Sequence, residues 1–528
     1  MPTAYDDISL LPIDPSQFQA PYPSDAKVSQ VQQQIHDARS LIDQCDLEIG
    51  RLRSTISSLE KQKRRITRRI DEYRALISPV RKIPVEIWTE IFSIFLEDSC
   101  NLHITYYKIS TPTLRLSHVC SFWRAIVMST PKLWTHLRID LMHSSDEMVE
   151  AVAFYLDRAK TDPLCLELAA SYHISGRFGH QGRQVFKLLL DVHARWFKVN
   201  LDFDRRALDE IEIDREIERH LGTMSICCDI LQSFSVSTFA NGAPPVNLSL
   251  QLLRLLEKAP RLESFNSDYF DKSFAPLFSN LVDIRFGFLS MEDVLFCLSI
   301  CPKLERADFA INDVNGGFGE TMQVCHVKLR SLKFSFRIYA INSEDTFKGL
   351  TLPALSRLEF KIWGKNYTSL QNLLLRSRCP LEYLKLYLDP FTSDQELAQL
   401  LSLTPKLSHL ELEPEMEWTP AFFQIFTLKD GRTPVLPRLE FLHVRLYKNF
   451  ALPEPEVILS MIKSRKHFMN LQGQNKRLDR FVVDFSLTDS APATNQWVWW
   501  FTSRAEPGLQ VLKEENGRKT QLQIRVSV

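Results

Sequence analysis

From Cys301 onward one short phrase keeps returning, apolar-x-x-apolar-x-apolar and usually preceded by Pro: CPKLERADF, VKLRSLKFSF, LPALSRLEF, CPLEYLKLYL, TPKLSHLEL and LPRLEFLHV. Their first leucines, Leu304, Leu329, Leu355, Leu381, Leu407 and Leu439, fall mostly about 25 residues apart. Looser copies start at Leu231, Leu262, Leu281 and Leu478, and Trp134-x-x-Leu137-x-Ile139 and Trp196-x-x-Val199-x-Leu201 read as the earliest members. A unit this short cannot bury its own apolar side, so each copy must stack on its neighbours. Between copies, MEDVLFCLSI, SLQNLLLRS, DQELAQLLSL and PEVILSMIKS carry leucines at helical spacing, and Ser393 with Glu396 has the spacing of a capping box. Strand and helix alternating at this period predict an α/β fold. The expected form is a right-handed solenoid over residues 136–528, with parallel strands lining a concave face and helices outside. A globular α/β domain with coincidental leucine spacing is the alternative.

In such an array the non-leucine strand positions point into the concavity. They are Arg357, Glu359 and Lys361, then Tyr383, Lys385 and Tyr387, then His409, Glu411 and Glu413, then Phe441, His443 and Arg445. Rigid aromatics and arginines interleaved with charges suit protein recognition, which nominates Arg357, Lys361, Tyr383, Tyr387, His409, Glu411, Phe441 and Arg445 as target-binding. The plainer reading of each is a solvated strand residue. The phrase resembles the leucine-rich repeat over about half the chain, although the Asn expected three residues after the strand leucine is absent and the stretches 171–221 and after Val444 are irregular. At the far end Trp497, Trp499, Trp500 and Phe501 are expected to seal the last repeat, the alternative being a binding patch, and QLQIRVSV to form a closing strand.

Ahead of the repeats lies a segment too apolar to bury itself. Pro84 suits a first helical turn, and Ile87, Trp88, Ile91, Phe92 and Phe95 recur at three- and four-residue steps. A second helix carries Leu116, Val119, Cys120, Trp123 and Ile126, and Pro131 stops it before Leu133 and Trp134. The order Ile-Pro-x-Glu-Ile, Val-Cys-x-x-Trp-Arg, Pro-x-Leu-Trp across 79–135 resembles the F-box, with a longer, more polar gap from Glu97 to Thr113 than that motif usually has. The resemblance implies docking onto the Skp-type adaptor of a cullin scaffold in an SCF ubiquitin ligase. The residues it implies for that contact are Ile83, Pro84, Ile87, Trp88, Ile91, Phe92, Phe95, Leu116, Val119, Cys120, Trp123 and Trp134.

Residues 1–27, with Pro12, Pro15, Pro21 and Pro23 among small polar residues, read as a disordered leader. Over 28–78 apolar residues follow alternating three- and four-residue steps, Val28, Val31, Ile35, Ala38, Ile42, Cys45, Ile49, Leu52, Ile56, Leu59, Ile66, Ile70, Tyr73 and Ile77, interrupted at Lys63. That spacing predicts a coiled-coil helix. Its first half is acidic and its second half basic, so either an antiparallel dimer or a hairpin bending near Gly50 would set opposite charges together. The run KQKRRITRR reads as a solvated heptad face, the alternative being a localisation or nucleic-acid patch.

Equal totals of 64 basic and 64 acidic residues remove any global argument for nucleic acid or an anionic membrane as partner. The ten cysteines lack CxxC spacing, which fits reduced thiols in the cytoplasm or nucleus rather than zinc. The sequence shows no P-loop, dinucleotide fingerprint, nucleophile elbow or His-Glu-x-x-His, so no catalytic, metal or cofactor residue is assigned and the chain is expected not to be an enzyme. The combined expectation is a substrate receptor joining an adaptor to a protein target, with possible self-association through the coil. The alternative is a repeat scaffold in which the helical module is purely structural. A coil, an F-box and degenerate repeats in one chain resemble a large family of mushroom-forming fungi.

Overall fold

The computed structural model describes residues 24–526 apart from 98–99, 144, 171–179, 204–227, 238–255, 269, 314–321, 337–346, 362–366, 389–392, 415–419, 429–434, 448–453, 467–477, 479, 487–498, 501–502, 504–508 and 517–518. Most of the leader, Trp497 and Phe501 of the final aromatic cluster and much of the irregular stretch 171–221 therefore lie outside the described residues. The chain divides into two units, Met1–Trp88 and Thr89–Val528.

The first unit is dominated by helix α1, Asp25–Leu76, 52 residues long. At about 1.5 Å per residue it extends roughly 78 Å. No residue of α1 is buried. The hairpin is ruled out, because the helix runs unbroken through Gly50. One glycine costs about 1 kcal/mol relative to alanine, and the flanking helix formers outweigh it. After a short turn at Pro79–Lys82, Pro84 opens helix α2, Val85–Glu97, and accepts a hydrogen bond from the Trp88 amide at 3.2 Å.

In the second unit a mostly parallel sheet follows the chain. Its members are β1 (Leu102–Thr105), β2 (Lys108–Ser110), β3 (His136–Asp140), β4 (Leu164–Ala170), β5 (Trp196–Phe203), β6 (Ser233–Ser237), β7 (Ser264–Ser267), β8 (Asp283–Ser290) and β9 (Arg306–Asp313). A separate pair, β10 (Val324–Cys325) and β12 (Leu350–Thr351), stands beside them. The main sheet continues with β11 (Ser331–Phe336), β13 (Arg357–Lys361), β14 (Tyr383–Leu388), β15 (His409–Pro414), β16 (Phe441–Tyr447) and β17 (Arg480–Ser486). From β3 to β17 each strand of this main sheet pairs in parallel with the sheet's next strand along the chain. Antiparallel strands finish both ends: β2 on β1, and β19 (Lys519–Val526), the expected closing strand, between β17 and β18 (Leu509–Asn516).

Register explains the repeating phrase. One rung runs Leu137, Leu166, Val199, Phe234, Phe265, Ile284, Ala307, Leu332, Leu358, Leu384, Leu410, Leu442 and Phe481, each opposite the next. All of them are buried. The phrase's opening leucine lies just before each strand, and a single carbonyl takes both following amides: Val282 O accepts from Glu305 and Arg306, Glu305 O from Arg330 and Ser331, Arg330 O from Ser356 and Arg357. The same join recurs at Ser356, Glu382 and Ser408, and upstream at Gln232 and Glu263. From Gln232 to Phe441 successive copies are thus hydrogen-bonded to one another in the same way.

The intervening apolar segments are helical at Met291–Ile300, Tyr367–Ser377, Asp394–Ser402 and Pro455–Lys466. Ser393 and Glu396 form the expected capping box, and Ser290 and Asp293 form another. Where the spacing stretches before Leu439, the buried Arg465 guanidinium ties the copies together. It donates to the carbonyls of Phe426 at 2.6 Å, Val435 at 2.9 Å and Leu436 at 3.0 Å. Among the described residues no helix is long and apolar enough to cross a membrane.

Candidate adaptor and target interfaces

Helix α2 sorts its apolar residues onto two sides. Trp88, Phe92 and Leu96, at four-residue steps, are buried, whereas Ile87, Ile91, Ile94 and Phe95 are exposed, Phe95 by 62%. Within the second unit, Phe92 packs edge-on against Trp123 at 4.9 Å between ring centroids. Trp123 belongs to helix α4 (Ser121–Ser129), whose N-cap is Cys120: its Sγ accepts the Trp123 amide hydrogen bond at 3.4 Å. Just before it, helix α3 (Pro112–Ser117) buries Leu116, and Val119 stands 59% exposed.

Sequence spacing could not separate these classes, because both sides of α2 are apolar. Twelve residues nominated as one surface become two groups. Ile83, Pro84, Ile87, Ile91, Phe95, Val119, Cys120 and Trp123 are exposed in whole or part, while Trp88, Phe92, Leu116 and Trp134 are buried.

Trp134 is wholly buried and its indole N–H donates to Val127 O at 2.9 Å, pinning the end of α4. Its ring meets Tyr155 edge-on at 4.9 Å, from helix α5 (Asp146–Arg158) behind the sheet. Trp196 repeats the device one copy later, donating to Leu189 O at 3.1 Å, also seven residues back. Trp134 therefore closes the helical module and opens the first copy of the repeat.

The polar gap from Glu97 to Thr113 supplies a further connection. Its β1 pairs in parallel with β3, and β2 folds back on β1. Asn101 exchanges backbone and side-chain hydrogen bonds with His136, and the buried Thr113 hydroxyl reaches Leu133 O at 3.0 Å.

At this end of the sheet Cys100, His136 and Glu167 bring a thiol, an imidazole and a carboxylate within 4.8 Å of one another. No spacing along the chain announces this cluster, since its residues are far apart in sequence and meet only through strand pairing. The donors are already engaged: His136 Nε2 lies 3.0 Å from Glu167, and Arg138 donates to the same carboxylate at 2.6 Å. Burial pushes the Cys100 thiol up, away from the thiolate a metal requires. Burial would raise Glu167, but the hydrogen bonds from His136 and Arg138 win and hold it low. The arrangement is a satisfied polar network beside a groove of about 630 Å³ lined by Glu90, Glu97, Glu167, Lys198 and Asn200.

The nominated target residues fall into rungs along β13 to β16. Arg357, Tyr383, His409 and Phe441 stand opposite one another in turn, followed by Arg480 on β17. The Arg357 guanidinium lies 3.5 Å from the Tyr383 ring centroid, and Arg480 lies 5.6 Å from that of Phe441. A cation closes each end of an aromatic row.

The next rung, Glu359, Lys385, Glu411 and His443, alternates acidic and basic side chains. Lys385 Nζ contacts Glu413 at 2.9 Å and Glu411 at 3.5 Å, the Tyr383 hydroxyl donates to Glu411 at 2.7 Å, and Arg445 pairs with Glu413. The hydrogen bond from His443 lowers Glu411 to about 2, with burial opposing and Tyr383 and Lys385 assisting. Burial pulls Lys385 down, yet its bond to Glu413 raises it overall. These charges neutralise one another, leaving the aromatic rung as the part of this face with stacking capacity to spare. Tyr387 is half-buried under Lys385, and the Lys361 side chain lies outside the described residues.

Residues 80–140 match the F-box-like family model. The chain therefore carries an F-box-like domain, the kind of domain through which SCF receptors dock onto a Skp-type adaptor, and the match ends at the last residue of β3. No curated protein matches the chain.

Proposed function

We propose that the chain is a substrate-recognition subunit of a cullin-based SCF ubiquitin ligase. The observation that carries this reading is the set of exposed apolar residues in the F-box-like domain: Ile87, Ile91, Ile94 and Phe95 along α2, and Val119 after α3. So much exposed aliphatic and aromatic surface in one short module favours a covering partner. The adaptor meets these residues together with Cys120 and Trp123, and the buried Phe92, Leu116 and Trp134 support the module from within.

The strands over 136–528 act as a leucine-rich-repeat-like solenoid that grips a protein target on its open, concave side. The in-register leucine rungs and the recurring carbonyl join support that architecture. The Arg357, Tyr383, His409 and Phe441 rung is the anchor. Over 28–78 the chain is a coiled-coil strand, and the whole protein works in the cytoplasm or nucleus in the manner of the fungal coil, F-box and repeat proteins. Its part in catalysis is proximity: holding a target lysine near the charged ubiquitin-carrying enzyme raises their effective concentration, and no residue of this chain takes part in the bond changes.

Co-purification of the full chain with a Skp-type adaptor tests the reading. The Ile91→Asp, Phe95→Asp double variant should lose adaptor binding by at least about 100-fold while melting like the wild type. A wild-type chain that binds no adaptor overturns it. The unburied apolar stripe of α1 favours a second reading, an assembly scaffold, in which both chains would be equally indifferent to adaptor.

A further inference from the structure

Helix α1 presents a heptad stripe, broken only at Lys63, to solvent. Ile35, Ile42, Ile49, Ile56 and Ile70 occupy one heptad position and Val31, Leu52, Leu59, Ile66 and Tyr73 the other, all of them exposed. Because the helix passes straight through Gly50, its own two halves cannot cover each other. A partner helix must come from elsewhere, and the charges and core residues of α1 specify it. We propose that α1 pairs with α1 of a second copy of this chain, antiparallel and in full overlap. This rests on reading α1 as a coiled-coil strand and is independent of adaptor binding.

Two copies laid antiparallel with Asp25 opposite Leu76 can pack only if the heptads fall into phase at that overlap, and they do. The layers become Ile35 with Ile66, Ile42 with Leu59, Ile49 with Leu52, Ile56 with Cys45 and Ile70 with Val31 of the second copy. The one polar core residue, Lys63, falls opposite Ala38, the smallest, which leaves the lysine stem room to carry its ammonium to solvent. Among flanking positions Arg39 meets Glu60 and Asp46 meets Arg53, each twice by symmetry. The acidic half of one copy lies along the basic half of the other.

The parallel alternative fails on the same residues. It stacks Lys63 on Lys63 inside the core, sets Arg69 against Arg74, and lays like-charged halves side by side. An unrelated helix would match the stripe but would have no reason to place a small residue at Lys63 and opposite charges at Arg39, Asp46, Arg53 and Glu60.

Full-length protein should sediment as a dimer between about 1 and 50 μM. Under mild oxidation the Ile56→Cys variant should yield a disulfide-linked dimer, with the new thiol joined to Cys45 of the second copy in the mapped peptides. The wild type should give no Cys45 to Cys45 link, and the Ile42→Lys, Ile49→Lys variant should be monomeric with its main melting transition unmoved. A Cys45 to Cys45 link overturns the antiparallel arrangement while leaving a coiled coil standing. A wild type monomeric at the upper concentration, or a dimer that survives the double lysine variant, overturns self-pairing through α1. Retained adaptor binding by the monomeric variant would keep the receptor reading intact whatever becomes of the dimer.

Discussion

Helix α1 and the parallel sheet are built from the same aliphatic residues with opposite fates. Every leucine of the rung through Leu332, Leu358, Leu384, Leu410 and Leu442 is sealed from water, whereas not one residue of α1 is buried. Period decides between them. A repeat of about 25 residues returns the chain beside its own previous copy, so the cover arrives from within the chain. A 3.5-residue period points one stripe along a straight rod, which only another helix can match. Hydrophobicity alone therefore does not place a residue in a core; the geometry that brings a neighbour does.

The contrast can be broken most violently in the sheet. Leu384→Ala should cost about 3–5 kcal/mol, because the two adjoining strands hold the cavity open, and calorimetry should show a melting transition lowered by several degrees. Trp134→Ala should cost a similar amount, about 3–5 kcal/mol, and loosen both α4 and the first copy of the repeat, seen as faster amide exchange at Val127 and in β3. An Ile42→Ala change of comparable chemistry in α1 should leave that transition within about 0.5 kcal/mol, since it removes no buried contact of the single chain.

The charged rung offers a finer test. Glu411→Gln should cost about 1–3 kcal/mol by weakening the charged hydrogen bonds that the carboxylate takes from the Tyr383 hydroxyl and His443. Because the Glu411 pKa is depressed to about 2, its contribution is complete above the unfolded carboxylate value and is lost as pH falls through the folded one. The wild-type advantage over the Gln variant should accordingly be constant near neutrality and shrink as melting is followed from pH 5 to pH 2. The smallest effect is expected at Cys100, His136 and Glu167: added zinc should leave the melting temperature unchanged, because Arg138 and His136 already satisfy Glu167.

Local patterns were legible in the sequence and distant pairings were not. The heptads located α1 to within a few residues, the phrase Leu-x-x-Leu-x-Leu located β13 to β16, and Ser393 announced its capping box. Strand β1 was invisible, since its four residues in a polar gap become a strand only by pairing with β3, some distance along the chain. The two sides of α2 were equally opaque, because Phe92 and Phe95 look alike until Trp123 covers one of them. The polar network at Glu167 escaped for the same reason as β1: register across strands, not spacing along the chain, brings its members together.

The recurring join, in which one carbonyl receives the two amides that begin the next strand, uses backbone atoms alone. Its persistence from Gln232 to Phe441 does not depend on which side chains the strands display. Positions such as Arg357, Tyr383 and His409 can therefore be rewritten by mutation without disturbing how successive copies are attached. A lineage holding this frame could change what it recognises far faster than it changes its shape.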